Sequence, residues 1–471
     1  MDELLHGGSS APTLHAFRPT THGATLSFRS RGDLRPPAVE VQGAETAAGY
    51  LLLGPGSQAD NTEQGPMLVD ATGQLVWFRP LPHGLWASNL GAGSYGGRRV
   101  LSWWEGKVVP PGFGQGEGVI VDHSYQEVKR IRPANGRQMD LHAFHLTPEG
   151  TAVFTCFPET VPADLSSVNG PADGQVSESI FQEIDVRTGR LLLEWRSLDH
   201  IPVTDSYKPV GAPYDYLHLN SIQILPDGNF LISGRHTWSL YKLERGTGRV
   251  IWKLGGKRSD FNMGPGAQFA WQHDARSISD TRFTVFDNES DGPNTNLPQS
   301  RGLILDVDSA RRSVTLHRAF QHPQKLLATA MGNVQVLPNG RVLIGWGTAS
   351  HTTEFTTDGR LISDAQLPPN MYSYRVYRSA WRGTPADPPA VAAQRDARTG
   401  KSTIYVSWNG STEVTGWQVH AGHRRRHLTT LGVAPRQGFE TAIPVGRHRY
   451  VAVSALDRFG RRLARSATLR A

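Results

Sequence analysis

Variants of one pattern, an acidic residue, a turn and an apolar run, recur along the chain. They are VDATGQLVWF (69–78), the looser VDHSYQEVKRI (121–131), IDVRTGRLLLEW (184–195), LERGTGRVIWKLGG (243–256), LDVDSARRSVTLHRAF (305–320) and FTTDGRLISD (355–364). Successive copies lie roughly 50 to 65 residues apart, a period that points to a repeat architecture. Most copies follow a second hairpin with its own turn: LTPEGTAVFTCF (146–157), LPDGNFLIS (225–233), ISDTRFTVFDN (278–288) and LPNGRVLIGWG (337–347). Asp-Gly and Asn-Gly between alternating apolar runs are hairpin signals, because glycine supplies the positive φ of the tight turn. Two hairpins per repeat give four strands, which is one propeller blade, and six blades close a ring without a long exposed edge. The expected fold is all-β, with a six-bladed β-propeller over 49–382. A sandwich of unrelated hairpins competes, and six matched units in order argue against it.

Composition changes at GTPADPPAV (383–391), which reads as a linker. In the last segment, 392–471, Ile404, Val406 and Trp408 alternate, as do Trp417 and Val419, then Val451, Val453 and Ala455. This pattern resembles a fibronectin type III sandwich, with Arg449 where that module carries a tyrosine and Tyr450 one place out of phase. The run HRRRH (423–427) reads as a solvated hairpin tip in preference to a polyanion contact. Residues 1–48 read as an extended arm that pairs with the propeller or covers one of its edges.

The formal charge is +7, and only eight of the basic residues are lysines. Arginine is suited to forked binding of oxyanions, so the balance favours a small anionic substrate. Cys156 is the sole cysteine, which rules out an intrachain disulfide and a thiolate metal site. No apolar run reaches the length of a membrane helix. The start, MDELLHGGSS, has acidic residues and no apolar core and is not read as a signal peptide. The compartment and the oligomeric state are left open.

In a propeller, the segment leading into each innermost strand reaches the mouth of the central channel. Here those segments carry Asp140 and His142 (DLHAF), His218, Asn220 and Ser221 (LHLNS), His273 and Asp274 (WQHDA), and Asn333 and Gln335 (GNVQ). His322 lies in QHPQKLLATA, ahead of the last blade, and the return strands bring Arg235, His236, Asp287 and Asn288. Core packing does not ask for such groups at strand starts, so they are expected to converge on one cavity. Three histidines could hold zinc or iron, but Arg235 would repel a cation and the amide neighbours are oxyanion donors. An anion site with a nucleophilic or acid–base imidazole fits better, and no metal is expected.

The strings DYLHLNSIQILPDGNFLISGRH, YKLERGTGRVIWKLGG, FAWQHDARSISDTRFTVFDN and GNVQVLPNGRVLIGWG resemble the arylsulfotransferase family, in its actinobacterial-type branch. The resemblance implies a six-bladed propeller that moves a sulfuryl group from an aryl sulfate to a phenol. The implied cycle is ping-pong through a sulfohistidine, without a nucleotide donor or cofactor, and the resemblance suggests export. His218 matches the histidine of the family's HxNS segment, His273 that of QHxA, and Arg235 the SxR return strand. His322 matches the nucleophile of the better-known branch. The implied roles are attack by His322, proton transfer by His218 or His273, and sulfuryl binding by Arg235 with Asn220. His142, Asn288, Asn333 and Asp274 would line the substrate site. Two features depart from the family: FDNESDGPNTN lacks the arginine that follows FDNG, the next being Arg301, and paired cysteines are absent.

Sulfuryl transfer, like phosphoryl transfer, asks mainly for positioning and charge stabilisation, and no GxxxxGK[ST] loop exists for a nucleotide. Other readings are acid–base chemistry such as cyclisation or elimination on an aromatic metabolite, a quinone-cofactor propeller, and a non-catalytic binding propeller. The expected partner is a small phenolic or sulfated molecule, with no nucleic acid.

Overall fold

The computed structural model describes residues 20–22, 25–43, 46–57 and 63–471. Of the expected arm, residues 1–19 with 23, 24, 44 and 45 lie outside the described residues. The described chain is all-β apart from four single-turn 3-10 helices. No helix among the described residues is long and apolar enough to cross a membrane.

Six four-stranded antiparallel meanders follow one another, and their innermost strands touch in a closed cycle. Those strands are Met371–Ser379 (blade 1), Trp86–Tyr95 (blade 2), Met139–Leu146 (blade 3), Leu219–Ile224 (blade 4), His273–Ser279 (blade 5) and Asn333–Val336 (blade 6). The turn-and-apolar repeats of the sequence supply the outer strands. Blade 1 closes the ring, since its inner strand comes from the end of the propeller and pairs with Tyr50–Ser57 from the beginning. The strand Glu40–Gly43 adds to the outer strand Leu361–Gln366 of blade 6 and covers that edge.

Large apolar side chains fill the spaces between blades. Phe181 and Trp195 of blade 3 pack with Phe230, Ile232 and Tyr241 of blade 4, for example. The glycines of GFGQGEG (112–118) permit one unusually close approach. A Cβ on Gly114 would meet Leu141 and Trp104 at 2.5–2.7 Å, so only glycine lets blade 2 lie against the inner strand of blade 3.

A two-sheet sandwich follows, with strands from Ala390–Arg395 through Leu469–Arg470 around Trp417, Ile404, Val406, Val451 and Val453. It docks on blade 1, where the Asn409 amide brackets the Phe78 backbone at 3.0 and 2.9 Å. Tyr125 Oη donates to Gly410 O at 2.7 Å. From the arm, Ser30 N–H donates to Glu440 at 2.6 Å.

The channel is plugged by a buried arginine on the closing strand. Arg375 donates to Asn89 Oδ1 (2.5 Å, blade 2) and to Asn220 O (2.7 Å, blade 4), and its Nε lies 3.0 Å from Asp274 Oδ1 (blade 5). Both charged side chains are fully inaccessible. Removing Arg375 would leave Asp274 with Arg276 alone, at 2.6 Å, and strip Asn89 Oδ1 and Asn220 O of a buried donor, losses that together cost about 3–5 kcal/mol. Arg375→Ala is therefore expected to lower propeller stability by about that amount, read from urea unfolding. A loss indistinguishable from that of an exposed Arg→Ala change would refute the central role of this pair.

Candidate active site

One cavity of about 780 Å³ opens above the plug, lined by His142, His218, Arg235 and His273 together with Trp86, Trp104, Leu141, Met331 and Tyr374. The four polar groups come from blades 3, 4 and 5. Each stands at the start of an inner strand or the end of the strand returning beside it, as the sequence pattern implies. His218 sits at φ +51°, a conformation that costs a non-glycine residue energy and clusters at functional sites.

Two of the imidazoles are backed by carboxylates. His142 Nδ1 is 2.6 Å from Asp140 Oδ2, and His218 Nδ1 is 2.6 Å from Asp215 Oδ2. Asp140 is held in turn by the Gly114 N–H at 2.6 Å and Thr155 Oγ1 at 3.1 Å. Each Nδ1 thus carries a proton, and the two Nε2 atoms face each other at 3.2 Å. At that distance the pair is placed to hold one further proton between the two Nε2 atoms.

His273 has a different partner. Its Nδ1 lies 2.8 Å from Asn288 Oδ1, while Asn288 Nδ2 donates to Ala328 O and Met331 O at 2.9 and 3.1 Å. The amide orientation makes Oδ1 the acceptor, puts the proton on Nδ1 and leaves a lone pair on Nε2. The Met331 N–H points at that lone pair from 3.3 Å. Burial, reinforced by the Arg235 charge, pushes His273 well below the usual imidazole range, so it is neutral near pH 7. His236 is pushed down to about 3 by burial, with its Nδ1–H donating to Asp215 O at 2.6 Å. Burial also lowers His218 against the opposing pull of Asp215. Burial opposes ionisation of Asp215 too, but the His218 and His236 rings outweigh it and keep the carboxyl below its ordinary range.

Arg235 donates to Thr329 O at 2.6 Å and to His236 Nε2 at 3.3 Å, and its Nε is buried without a hydrogen-bond partner. Its guanidinium lies 5.5 Å over the Trp271 ring. A buried cation that leaves a donor free is a place for an anion.

Several expected residues stand elsewhere. His322 does not reach the cavity. After Phe320 the chain turns back onto the outer strands of blade 6, so the ring packs beside Trp346 and His351, with Nε2 3.5 Å from Asp364 Oδ1 and Nδ1 accepting the Gln324 N–H at 3.2 Å. The later residues Leu327, Thr329 and Met331 of the same loop line the cavity instead. Asn220 faces blade 5, its amide donating to Gln272 O at 2.6 Å. Asn333 brackets the Val376 backbone at 2.8 and 2.9 Å, and Asp274 is engaged by Arg276 and Arg375. These three join blades and do not meet a ligand. Asn288 orients His273. Arg301 is bound to Asp287 and Glu289 at 2.5 and 2.7 Å, which leaves Arg235 as the one guanidinium lining the described cavity.

Sequence reasoning assigned no role to Asp140, Asp215 or Tyr374. The aspartates were signalled by their places, two and three residues ahead of His142 and His218. Nothing marked Tyr374, which arrives on the closing strand and sits 5.5 Å from the His142 ring and 6.2 Å from that of His273. Donor atoms of Asp215, His218 and His236, and of His322, His351 and Asp364, lie within 4.8 Å of one another. A cation in the first group would oppose Arg235. In the second, the Gln324 N–H aimed at His322 Nδ1 places that ring's proton on Nε2, where a metal would need the lone pair.

The family profile described as Arylsulfotransferase (ASST) matches residues 95–367, more than half of the chain. No curated protein matches. Among solved structures, similarity is found to a protein of unknown function from Bacteroides caccae, at 11% identity and TM-score 0.42 over 70% of this chain and 98% of that one. The periplasmic gluconolactonase PpgL of Pseudomonas aeruginosa is similar at 12% identity and TM-score 0.41, over 71% and 99%. Virginiamycin B lyase of Staphylococcus aureus is similar at 9% and 0.34, over 79% and 96%.

His145, His236 and His273 are all held below their ordinary range, first by burial. The unfolded chain takes up their protons near pH 6.5 while the folded chain does not. Stability is therefore expected to fall as pH drops from 7 to 5, by up to about 1.4 kcal/mol per histidine per pH unit. Asp215 does not offset this, because its depressed carboxyl keeps its contribution until pH falls below about 4. Urea unfolding across this range checks it, and His236→Gln should remove one histidine's share of the slope, up to about 1.4 kcal/mol per pH unit; a flat profile would contradict the assigned neutral rings.

Proposed function

The chain belongs to the arylsulfotransferase family, and from that premise we propose that it moves a sulfuryl group from an aryl sulfate to a phenol through a sulfohistidine on His273. The observation that carries this reading is the difference in surroundings: burial and the Arg235 charge hold His273 neutral above an amide that fixes its tautomer, whereas two carboxylates back the facing His142 and His218 rings. A neutral imidazole whose Nε2 lone pair meets only the Met331 N–H is a nucleophile once that N–H turns to a sulfuryl oxygen, and the histidine pair, when it holds the further proton, is an acid.

In the first half-reaction the Nε2 lone pair of His273 attacks sulfur. The N–S bond forms, the S–O bond to the aryl group breaks, and its electron pair leaves on the phenolic oxygen. That oxygen takes the shared proton of the His142–His218 pair and departs as a phenol. Asn288 retains the Nδ1–H of the sulfoimidazole. The free Nε of Arg235 and the Met331 N–H hold sulfuryl oxygens as charge moves, the kind of preorganised donor set that is worth most where water is excluded. In the second half-reaction an acceptor phenol returns its proton to the histidine pair, its oxygen attacks sulfur, and the N–S bond breaks with its electrons returning to Nε2. Trp86, Trp104 and Tyr374 give the aryl group an apolar wall. No nucleotide or cofactor takes part.

One observation favours a second reading. With Arg301 occupied by two carboxylates, the single cavity guanidinium also suits acid–base chemistry on an unsulfated phenolic metabolite.

The test is incubation with 4-nitrophenyl sulfate followed by intact-protein mass spectrometry. The unaltered protein and His322→Ala should gain one SO3, His273→Ala none, and His218→Ala should label about a hundred- to ten-thousand-fold more slowly. Labelling of His273→Ala would overturn the nucleophile assignment. An unaltered protein that never labels with any aryl sulfate would leave the acid–base reading in its place.

A further inference from the structure

The positive charge of this chain is segregated. Residues 390–471 hold 14 of the 49 Lys and Arg and four of the 42 Asp and Glu, a net +10, whereas residues 1–389 carry −3. The four acids are already engaged. Glu440 accepts N–H groups of the arm, Asp457 pairs with Arg461, Glu413 with Arg382, and Asp396 holds the turn at Arg398 and Thr399.

Strand register turns the surplus into a row. Arg462–Arg465 and Leu469–Arg470 both pair with the same strand, Tyr450–Leu456, placing Arg470 opposite Tyr450, Arg465 opposite Ser454 and Arg462 opposite Leu456. Val451, Val453 and Ala455 point into the core, so the alternate positions lie on the other face of the sheet, where Ser454 and Leu456 are covered. At about 3.3 Å per residue the row is about 20 Å long. All three arginines are exposed, and no carboxylate among the described residues pairs with them. The hairpin with exposed Arg424, Arg425 and Arg426 extends one end. On the neighbouring strand, burial and then the Arg465 and Arg462 charges push His420 down, as expected if both guanidinium groups lie over this face.

We propose that this edge of the sandwich binds a linear acidic polysaccharide, its sulfate or carboxylate groups meeting the Arg470–Arg465–Arg462 row. Arginine's fork fits both groups. A single-stranded nucleic acid would want aromatic platforms along the track, and the exposed Phe459 at its end is covered by Arg458 and Arg461 at 4.7 and 5.0 Å. A bilayer would want apolar residues beside the cations, whereas the exposed Leu431 and Val433 lie on the opposite edge strand.

The experiment measures binding of the full chain to heparin and to polygalacturonate, with single-stranded DNA and phosphatidylserine vesicles in parallel. The triple variant R462A/R465A/R470A is compared with R132A/R249A/R311A, which removes three exposed propeller arginines. The row variant should bind heparin at least tenfold more weakly, and its affinity should fall with salt about three units less steeply on a log–log plot. The propeller variant should bind as the unaltered chain does, and all three should share one thermal melt and one aryl sulfate turnover. Heparin without polygalacturonate identifies sulfate as the recognised group, and binding of both identifies any regular anion. No binding by the unaltered chain, equal loss in both variants, or tighter binding to DNA or vesicles would overturn the proposal.

Discussion

A guanidinium without solvent contact sits where the six blades meet, and the remaining geometry depends on how its charge is answered. Arg375 draws a carboxylate from blade 5, an amide from blade 2 and a backbone carbonyl from blade 4. Each contact fixes the inner strand that supplies it. Asp274 follows His273 directly and Asn220 lies two residues beyond His218, so the plug sets the height of both imidazoles. Its neighbour Tyr374 lines the cavity, and His145 pairs with Arg276 on the adjoining inner strands.

The propeller was legible because its signals are local. Turn residues and alternating apolar runs report each blade without knowledge of the others, so counting them gave the ring. The site was half legible for a related reason. His142, His218, His273 and Arg235 flank inner strands, where position along the repeat predicts position in space. His322 misled because twelve residues separate Phe320 from Asn333, long enough for the loop to fold back onto its own outer strands before reaching the cavity. Asn220, Asn333 and Asp274 stand at equivalent places but face neighbouring blades, because buried backbone groups and a buried arginine needed partners. Tyr374 and Arg375 were invisible for a topological reason: the closing strand is paired with the start of the chain, and no local repeat announces it.

Histidines that look alike in sequence are set in different environments by their Nδ1 partners. A carboxylate behind the ring supports a proton, and an amide oxygen behind the ring fixes the tautomer without adding charge. The difference lies in Asp140 and Asp215 against Asn288, none of which is next to its histidine in sequence. Residue type at the histidine position therefore says little about role.

The charge count within the cavity accounts for the missing second arginine. Asp140 and Asp215 carry two negative charges, which Arg235 and one proton held between His142 and His218 would balance. In the proposed reaction an aryl sulfate would bring one negative charge into reach of Arg235, and its leaving oxygen would take that proton as a neutral phenol. A second free guanidinium would leave the unliganded cavity with an uncompensated buried cation, a state that strongly disfavours folding. Arg301 avoids this by pairing with Asp287 and Glu289 away from the cavity. In the proposed reaction, sulfuryl binding would fall to one arginine and to backbone N–H groups, which are dipoles and add no net charge to the resting protein.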